Sequence, residues 1–247
     1  MNRLVVMVLL TGLMVMCSRH QPGSDPVTPE TVTALQEIGE YQTEIPEPSG
    51  MAYNWKTKTF WVPADGNSTV YEMDSLGKIL HSVTIAAQDL EGIVLTENCD
   101  TMVVVEEANQ LVSRFLMDGT KLSSFAVRVA ASTKNALEGI TIDQNHHLIV
   151  LNEKNPMMLV EFNQDVEISR LELNFSGDVS DIDYDETDHT LWLVSDESRM
   201  VLHLSRSGEL LGQWSVPFLK GEGIAVVGQK IYIVNDNDSK LYVFHKP

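Results

Sequence analysis

Cysteine is nearly missing from this chain: Cys17 and Cys99 are the only two in 247 residues. Cys17 ends an N-terminal apolar segment, so the folded part keeps one thiol, in the turn Glu97-Asn98-Cys99-Asp100, and no internal disulfide staples it. Basic residues are also scarce, with 17 Lys and Arg against 35 Asp and Glu and a formal net charge of -18. Such a surface repels a phosphate backbone, which argues against nucleic acid as a partner. It suits a cation or a cationic partner instead. Histidine is thinly spread. His20 precedes the fold, His146-His147 falls in a turn, and His81, His189, His203 and His245 fall in outer strands or turns. No Ser-His-Asp arrangement is readable, and no catalytic residue is assigned.

Long apolar runs are missing too. The longest, Leu4 to Met16, has 13 residues and is interrupted by Thr11 and Gly12. A bilayer-spanning helix needs about 20 apolar residues. With Arg3 before it, the run has the form of a signal-peptide core. Cys17 follows directly, where a lipoprotein signal places its acylated cysteine, although Met14 and Met16 depart from the usual flanking residues. The expectation is a lipoprotein-type signal peptide over 1–17 with Cys17 lipidated; ordinary cleavage and an uncleaved anchor are the alternatives. Residues 18–30, polar and Pro-rich, read as a flexible tether. The implied location is the cell envelope, with membrane contact through the lipid alone. Ser18 after the cysteine is compatible with outer-membrane sorting in a diderm bacterium.

What is present is a repeat. A short motif recurs as Pro48-Ser49-Gly50-Met51, Leu90-Glu91-Gly92-Ile93, Leu137-Glu138-Gly139-Ile140, Val179-Ser180-Asp181-Ile182 and Gly221-Glu222-Gly223-Ile224. Its last residues lie 42, 47, 42 and 42 apart. After each motif comes an apolar strand ending in an acid: Asp65, Glu107, Glu153, Asp196 or Asp236. A third strand follows each acid, and a turn then leads to a fourth. Four short strands per period of this length predict an all-β fold, a β-propeller. The chain ends after a third strand, and residues 34–45 stand where a fourth would precede the first motif. The expectation over 31–247 is therefore a five-bladed β-propeller closed by an N-terminal strand. A sixth blade would need a further repeat, and none is visible.

Strands one and two of a blade are antiparallel, so the opening motifs and the terminal acids meet at one mouth of the central channel. One ring is Ser49, Glu91, Glu138, Ser180 and Glu222; the other is Asp65, Glu107, Glu153, Asp196 and Asp236. Glu47, Asp89 and Asp178 lie two residues before the first ring. Carboxylates about 6 Å apart repel by roughly 3 kcal/mol at an effective dielectric of 20, so the rings need cations, protons or hydrogen bonds. Oxygen ligands without His or Cys favour Ca²⁺ over Zn²⁺. The expected metal ligands are Glu91, Glu138, Glu222, Asp196 and Glu153. Under the structural alternative these acids accept N–H bonds from the next blade, with Lys134, Lys154 and Lys220 neutralising part of the charge.

The run Glu47-Pro48-Ser49-Gly50-Met51-Ala52-Tyr53, the repeated Glu-Gly-Ile and Leu193-Val194-Ser195-Asp196-Glu197-Ser198 together resemble the SdiA-regulated family. The resemblance covers about residues 31–247. It implies an envelope protein, a five-bladed propeller and a bound calcium ion, with no established activity. Asp181 departs from the pattern, which usually has Gly there. The function expected is a calcium-binding envelope propeller that recognises a small ligand or an envelope protein at its acidic mouth. The alternative is a metal-dependent hydrolase of the propeller lactonase or phytase type, using Ca²⁺ to polarise substrate and activate water.

Overall fold

The computed structural model of the chain describes residues 32–129, 136–175 and 177–247. The signal segment with Cys17, the tether 18–30 and Lys134 lie outside the described residues. The first strand, β1 (Glu37–Gln42), is set apart from its sequence neighbours and belongs to the last blade. Blade one is β2 (Ala52–Asn54), β3 (Thr59–Ala64), β4 (Thr69–Met73) and β5 (Ile79–Thr84). Blade two is β6 (Leu90–Leu95), β7 (Thr101–Glu106), β8 (Leu111–Leu116) and β9 (Lys121–Ala126). Blade three is β10 (Leu137–Ile142), β11 (Leu148–Asn152), β12 (Met158–Asn163) and β13 (Val166–Glu172). Blade four is β14 (Asp181–Asp185), β15 (Thr190–Ser195), β16 (Met200–Leu204) and β17 (Leu210–Ser215). Blade five is β18 (Gly221–Val227), β19 (Lys230–Asn235), β20 (Lys240–His245) and then β1. Each is a four-stranded antiparallel sheet, and together they make the five-bladed propeller expected.

The second strand of each blade reads as an unbroken apolar run because both of its faces are covered. Along β15, Leu191 and Leu193 point into the cluster shared with blade three, while Trp192 and Val194 point into the one shared with blade five. That is the period-2 alternation of a strand, filled on both sides. The five apolar clusters among the described residues each lie between two neighbouring blades. The inner strands touch in a closed cycle, β2 to β6, β10, β14, β18 and back to β2.

Blade one departs slightly from the repeat. Ala52 pairs with Trp61, and the ladder then breaks before the isolated bridge between Pro48 and Ala64. Pro63, with no N–H to give, stands in that gap and shortens β2 to three residues.

The ring closes where the sequence predicts. β1 pairs antiparallel with β20, from Glu37 opposite Phe244 to Gln42 opposite Lys240. The strand is shorter than the predicted 34–45, because the chain on either side turns inward. Leu35 is buried between blades four and five, and Ile45 between blades five and one.

Candidate metal-binding mouth

The Glu-Gly motifs act on the backbone before they act through charge. In blades two, three and five the register of the inner strand pair slips at the motif, between Leu90 and Ile93, Leu137 and Ile140, and Gly221 and Gly223. Blade four, with Ser180-Asp181 there, shows no slip. Such a bulge re-aims a side chain, and here it delivers Glu91, Glu138 and Glu222 to the mouth. Glycine follows each glutamate because the backbones nearly touch around the axis. A Cβ on Gly92 would stand 2.4 Å from the Glu138 carbonyl oxygen, and one on Gly223 would stand 2.6 Å from the Gly50 carbonyl carbon.

The second ring is set by the end of each second strand. Its last residue is buried and polar in four blades: Glu106, Asn152, Ser195 and Asn235. These tie down the loops; Asn235 Nδ2 donates to the Leu219 carbonyl at 2.5 Å, and Ser195 Oγ to Asp178 Oδ1 at 2.5 Å. The acid one residue later is thereby fixed at the mouth. Its N–H bonds back to the opening loop, from Asp65 to Glu47, Glu107 to Asp89, Glu153 to Ala136 and Asp236 to Lys220, at 2.8–3.1 Å.

All ten ring residues, with Glu47 and Asp178, line one cavity of about 540 Å³. Its charge is lopsided. Lys154 Nζ sits 2.7 Å from Glu153 and 2.9 Å from Glu197, and these two carboxylates hold its pKa up. Lys220 Nζ sits 3.4 Å from Asp236 and 3.8 Å from Glu222, and the Lys220 N–H also donates to Asp196 Oδ1. The side of the mouth made by blades one and two contains Glu47, Asp65, Asp89, Glu91 and Glu107; among the described residues no ion pair reaches Glu47, Asp65, Asp89 or Glu91, and Glu107 accepts the Ala136 N–H at 2.9 Å. Oxygens of Asp65, Asp89 and Glu91 lie within 4.8 Å of one another.

Of the five expected ligands, Glu91 and Glu138 are therefore the least compensated, whereas Glu153, Asp196 and Glu222 already have lysine or backbone partners. Burial, then the Asp65, Glu107, Asp89 and Glu222 charges, raises the Glu91 pKa well above the carboxylate range. Burial, then Glu91, Glu153, Glu107 and Glu222, does the same to Glu138. Glu222 is pushed up to about 7, by burial first and then by Asp196, against the pull of Lys220 and a hydrogen bond from Ser180. Asp65 is raised by burial and by Asp89, its hydrogen-bonded neighbour.

Sequence reasoning missed a second cluster. Asp143, His147 and Glu161 also converge within 4.8 Å, in the β10–β11 turn and on β12. Arg206 fills it, 2.9 Å from Asp143 and 2.6 Å from Glu161, and His147 Nδ1 lies 2.8 Å from Glu161. It joins blade three to blade four, and its own cation occupies it. No local pattern signals it, because Arg206 lies 63 residues from Asp143.

Residues 29–247 match the SdiA-regulated family. The chain belongs to that family. Its fold is also shared with solved structures at low identity. A virginiamycin B lyase from Staphylococcus aureus aligns over 84% of this chain and 69% of its own, at 16% identity and a TM-score of 0.54. A gluconolactonase from Xanthomonas campestris aligns over 90% of this chain and 99% of its own, at 12% identity and a TM-score of 0.56. A chain of a nidogen/laminin complex aligns over 82% of this chain and 77% of its own, at 15% identity and a TM-score of 0.60. These likenesses are of fold alone.

Proposed function

We propose that this family member is a non-catalytic, calcium-binding envelope propeller that recognises a ligand or partner at its acidic mouth. The observation that carries the reading is the pair Glu91 and Glu138, which no ion pair among the described residues reaches, enclosed at the axis and crowded by Asp65, Glu107 and Glu222. Like charges in such a place are stable only with protons or a cation between them. The donors are all oxygen, which fits Ca²⁺. Glu91, Glu138, Asp65 and Asp89 would hold the ion, and Glu222, Asp196 and Glu153 would stand around it, balanced by Lys220 and Lys154. When bound, the ion supplies charge neutralisation and open coordination positions for an oxygen-bearing ligand.

The hydrolase alternative is less well supported. Attack on a phosphate ester would want several free cations at the mouth. Among the described residues the basic residue lining it is Lys220, engaged with Asp236 and Glu222; Lys154 is bound to two lining carboxylates, Glu153 and Glu197.

Calorimetric titration with Ca²⁺ tests the reading. Binding heat is expected, and Glu138→Gln, which removes charge and keeps shape, is expected to weaken affinity by about tenfold or more, the scale of a lost charge-assisted contact. Glu172→Gln, on an outer strand, leaves it unchanged. No heat with the parent protein would make the rings structural. The envelope assignment has its own test at Cys17. Cells fed a palmitate analogue should label the parent chain and not Cys17→Ser; equal labelling of both would remove the lipid anchor.

A further inference from the structure

Four blades bring glycine to the axis at Gly50, Gly92, Gly139 and Gly223; blade four brings Asp181. Its side chain is fully buried. Oδ2 accepts the Met51 N–H at 3.2 Å and the Ile224 N–H at 2.9 Å. Oδ1 lies against Gly139, where an added Cβ would stand 2.9 Å from it, and has no hydrogen-bond partner among the described residues. One carboxyl of blade four thus meets blades one, three and five.

The reason lies in the inner strands. Each has one edge without a ladder partner, and its N–H groups need acceptors inside a narrow channel. Side chains of neighbouring inner strands supply some. Thr141 Oγ1 accepts the Tyr184 N–H at 3.0 Å, and Asp183 Oδ2 accepts the Val226 N–H at 2.7 Å. Asp181 does this twice, and one of its two bonds crosses the axis. Met51 stands two residues after Ser49, Ile224 two after Glu222, and Gly139 directly after Glu138.

We propose that Asp181 is an axial staple and a positioning residue, joining blades one, four and five beneath the mouth, fixing the strands that present Ser49 and Glu222 and packing against the one that presents Glu138. A glycine there would match the other four blades and lose both bonds. The positioning half of this proposal rests on the calcium reading above; the stapling half does not.

The experiment separates them. On the isotope-labelled full chain, through-hydrogen-bond couplings are expected from the Met51 and Ile224 amide nitrogens to the Asp181 side-chain carboxyl carbon. Their absence, with both amides visible, would overturn the staple whether or not any variant folds. Asp181→Asn keeps an acceptor and should leave exchange at both amides within about threefold of the parent, whereas Asp181→Gly should speed it more than about tenfold, as expected when a hydrogen bond that limits local opening is lost. Unchanged exchange in Asp181→Gly would also overturn the staple. Ca²⁺ titration of the same proteins should show about tenfold weaker binding for Asp181→Gly and recovery in Asp181→Asn. Faster exchange with unchanged affinity would remove the positioning role. If the parent shows no heat, the calcium reading fails, and the couplings still decide the staple.

Discussion

A chain lacking residues 31–45 is expected to lose its cooperative monomeric fold. The deletion removes β1 and leaves β20 as a bare edge at the end of blade five. An exposed, flat, apolar edge invites pairing with another chain. The deletion also removes Leu35 and Ile45, which close the clusters on the two sides of that blade. Leu35 packs among Trp192, Trp214 and Phe244; Ile45 packs among Phe60, Tyr232 and Val243. Each buried aliphatic side chain contributes about 1.5–3 kcal/mol. The pair alone represents a large share of a typical stability of about 5–15 kcal/mol. Size-exclusion chromatography should show aggregate, and a thermal melt should show a much lower or absent transition. Removal of residues 18–28 is the control and should change neither. A monomeric product of the longer deletion with an unchanged melt would mean that the ring does not depend on its N-terminal strand.

The closure was legible because a repeat can be counted: five first, second and third strands but only four fourth strands after Asp65 leave one gap, and residues 34–45 fill it. The two acid rings were legible for a related reason, since antiparallel neighbours place a strand start beside a strand end. What the sequence hid was long-range. That Asp65, Asp89 and Glu91 gather depends on how loops from neighbouring blades lean, whereas Lys154 and Lys220 could be placed because each stands beside its acid in the chain, next to Glu153 and two residues before Glu222. The glycine of Glu-Gly-Ile fits either a bulge or a close backbone approach, so the bulge that aims each glutamate did not stand out. Asp181 read only as a missing glycine. Its meaning appears once the inner strand edges are seen to need acceptors, which no local pattern reports. The predicted strand over 34–45 overshot because Leu35 and Ile45 fit a β pattern as well as they fit the blade interfaces that receive them.

In the metal-free protein, stability is expected to fall as pH rises from about 5 to 7, and Ca²⁺ should reverse that trend. The sign follows from the mouth acids. Glu91, Glu138 and Asp65 have folded pKa values raised above their unfolded ones, and Glu222 reaches about 7. The folded state therefore holds protons that the unfolded chain has already released near pH 4.5. Such a group stabilises fully below its unfolded pKa and loses that contribution as pH rises through its folded one. For Glu222, a rise from 4.5 to about 7 corresponds to something on the order of 3 kcal/mol. Asp183, also pushed up to about 7 by burial, adds to the loss without touching the mouth. The comparison with and without calcium removes its share. Ca²⁺ needs ionised ligands, so binding expels the mouth protons and its affinity rises with pH over the same window. At about 100 times Kd near pH 7, the ion should add roughly 2.7 kcal/mol. For a domain of this size that is a melting shift of about 5–10 °C. The shift should shrink toward pH 5, and titrations in two buffers of different ionisation heat should show protons released near pH 6. Asp143 and Glu161 do not blur the result. Burial works against them, but N–H donors, His147 and Arg206 keep both pKa values low, so their loss of stability comes at more acid pH. A calcium shift of the same size at pH 5 and pH 7, with no proton release, would mean that the ion does not bind among these carboxylates.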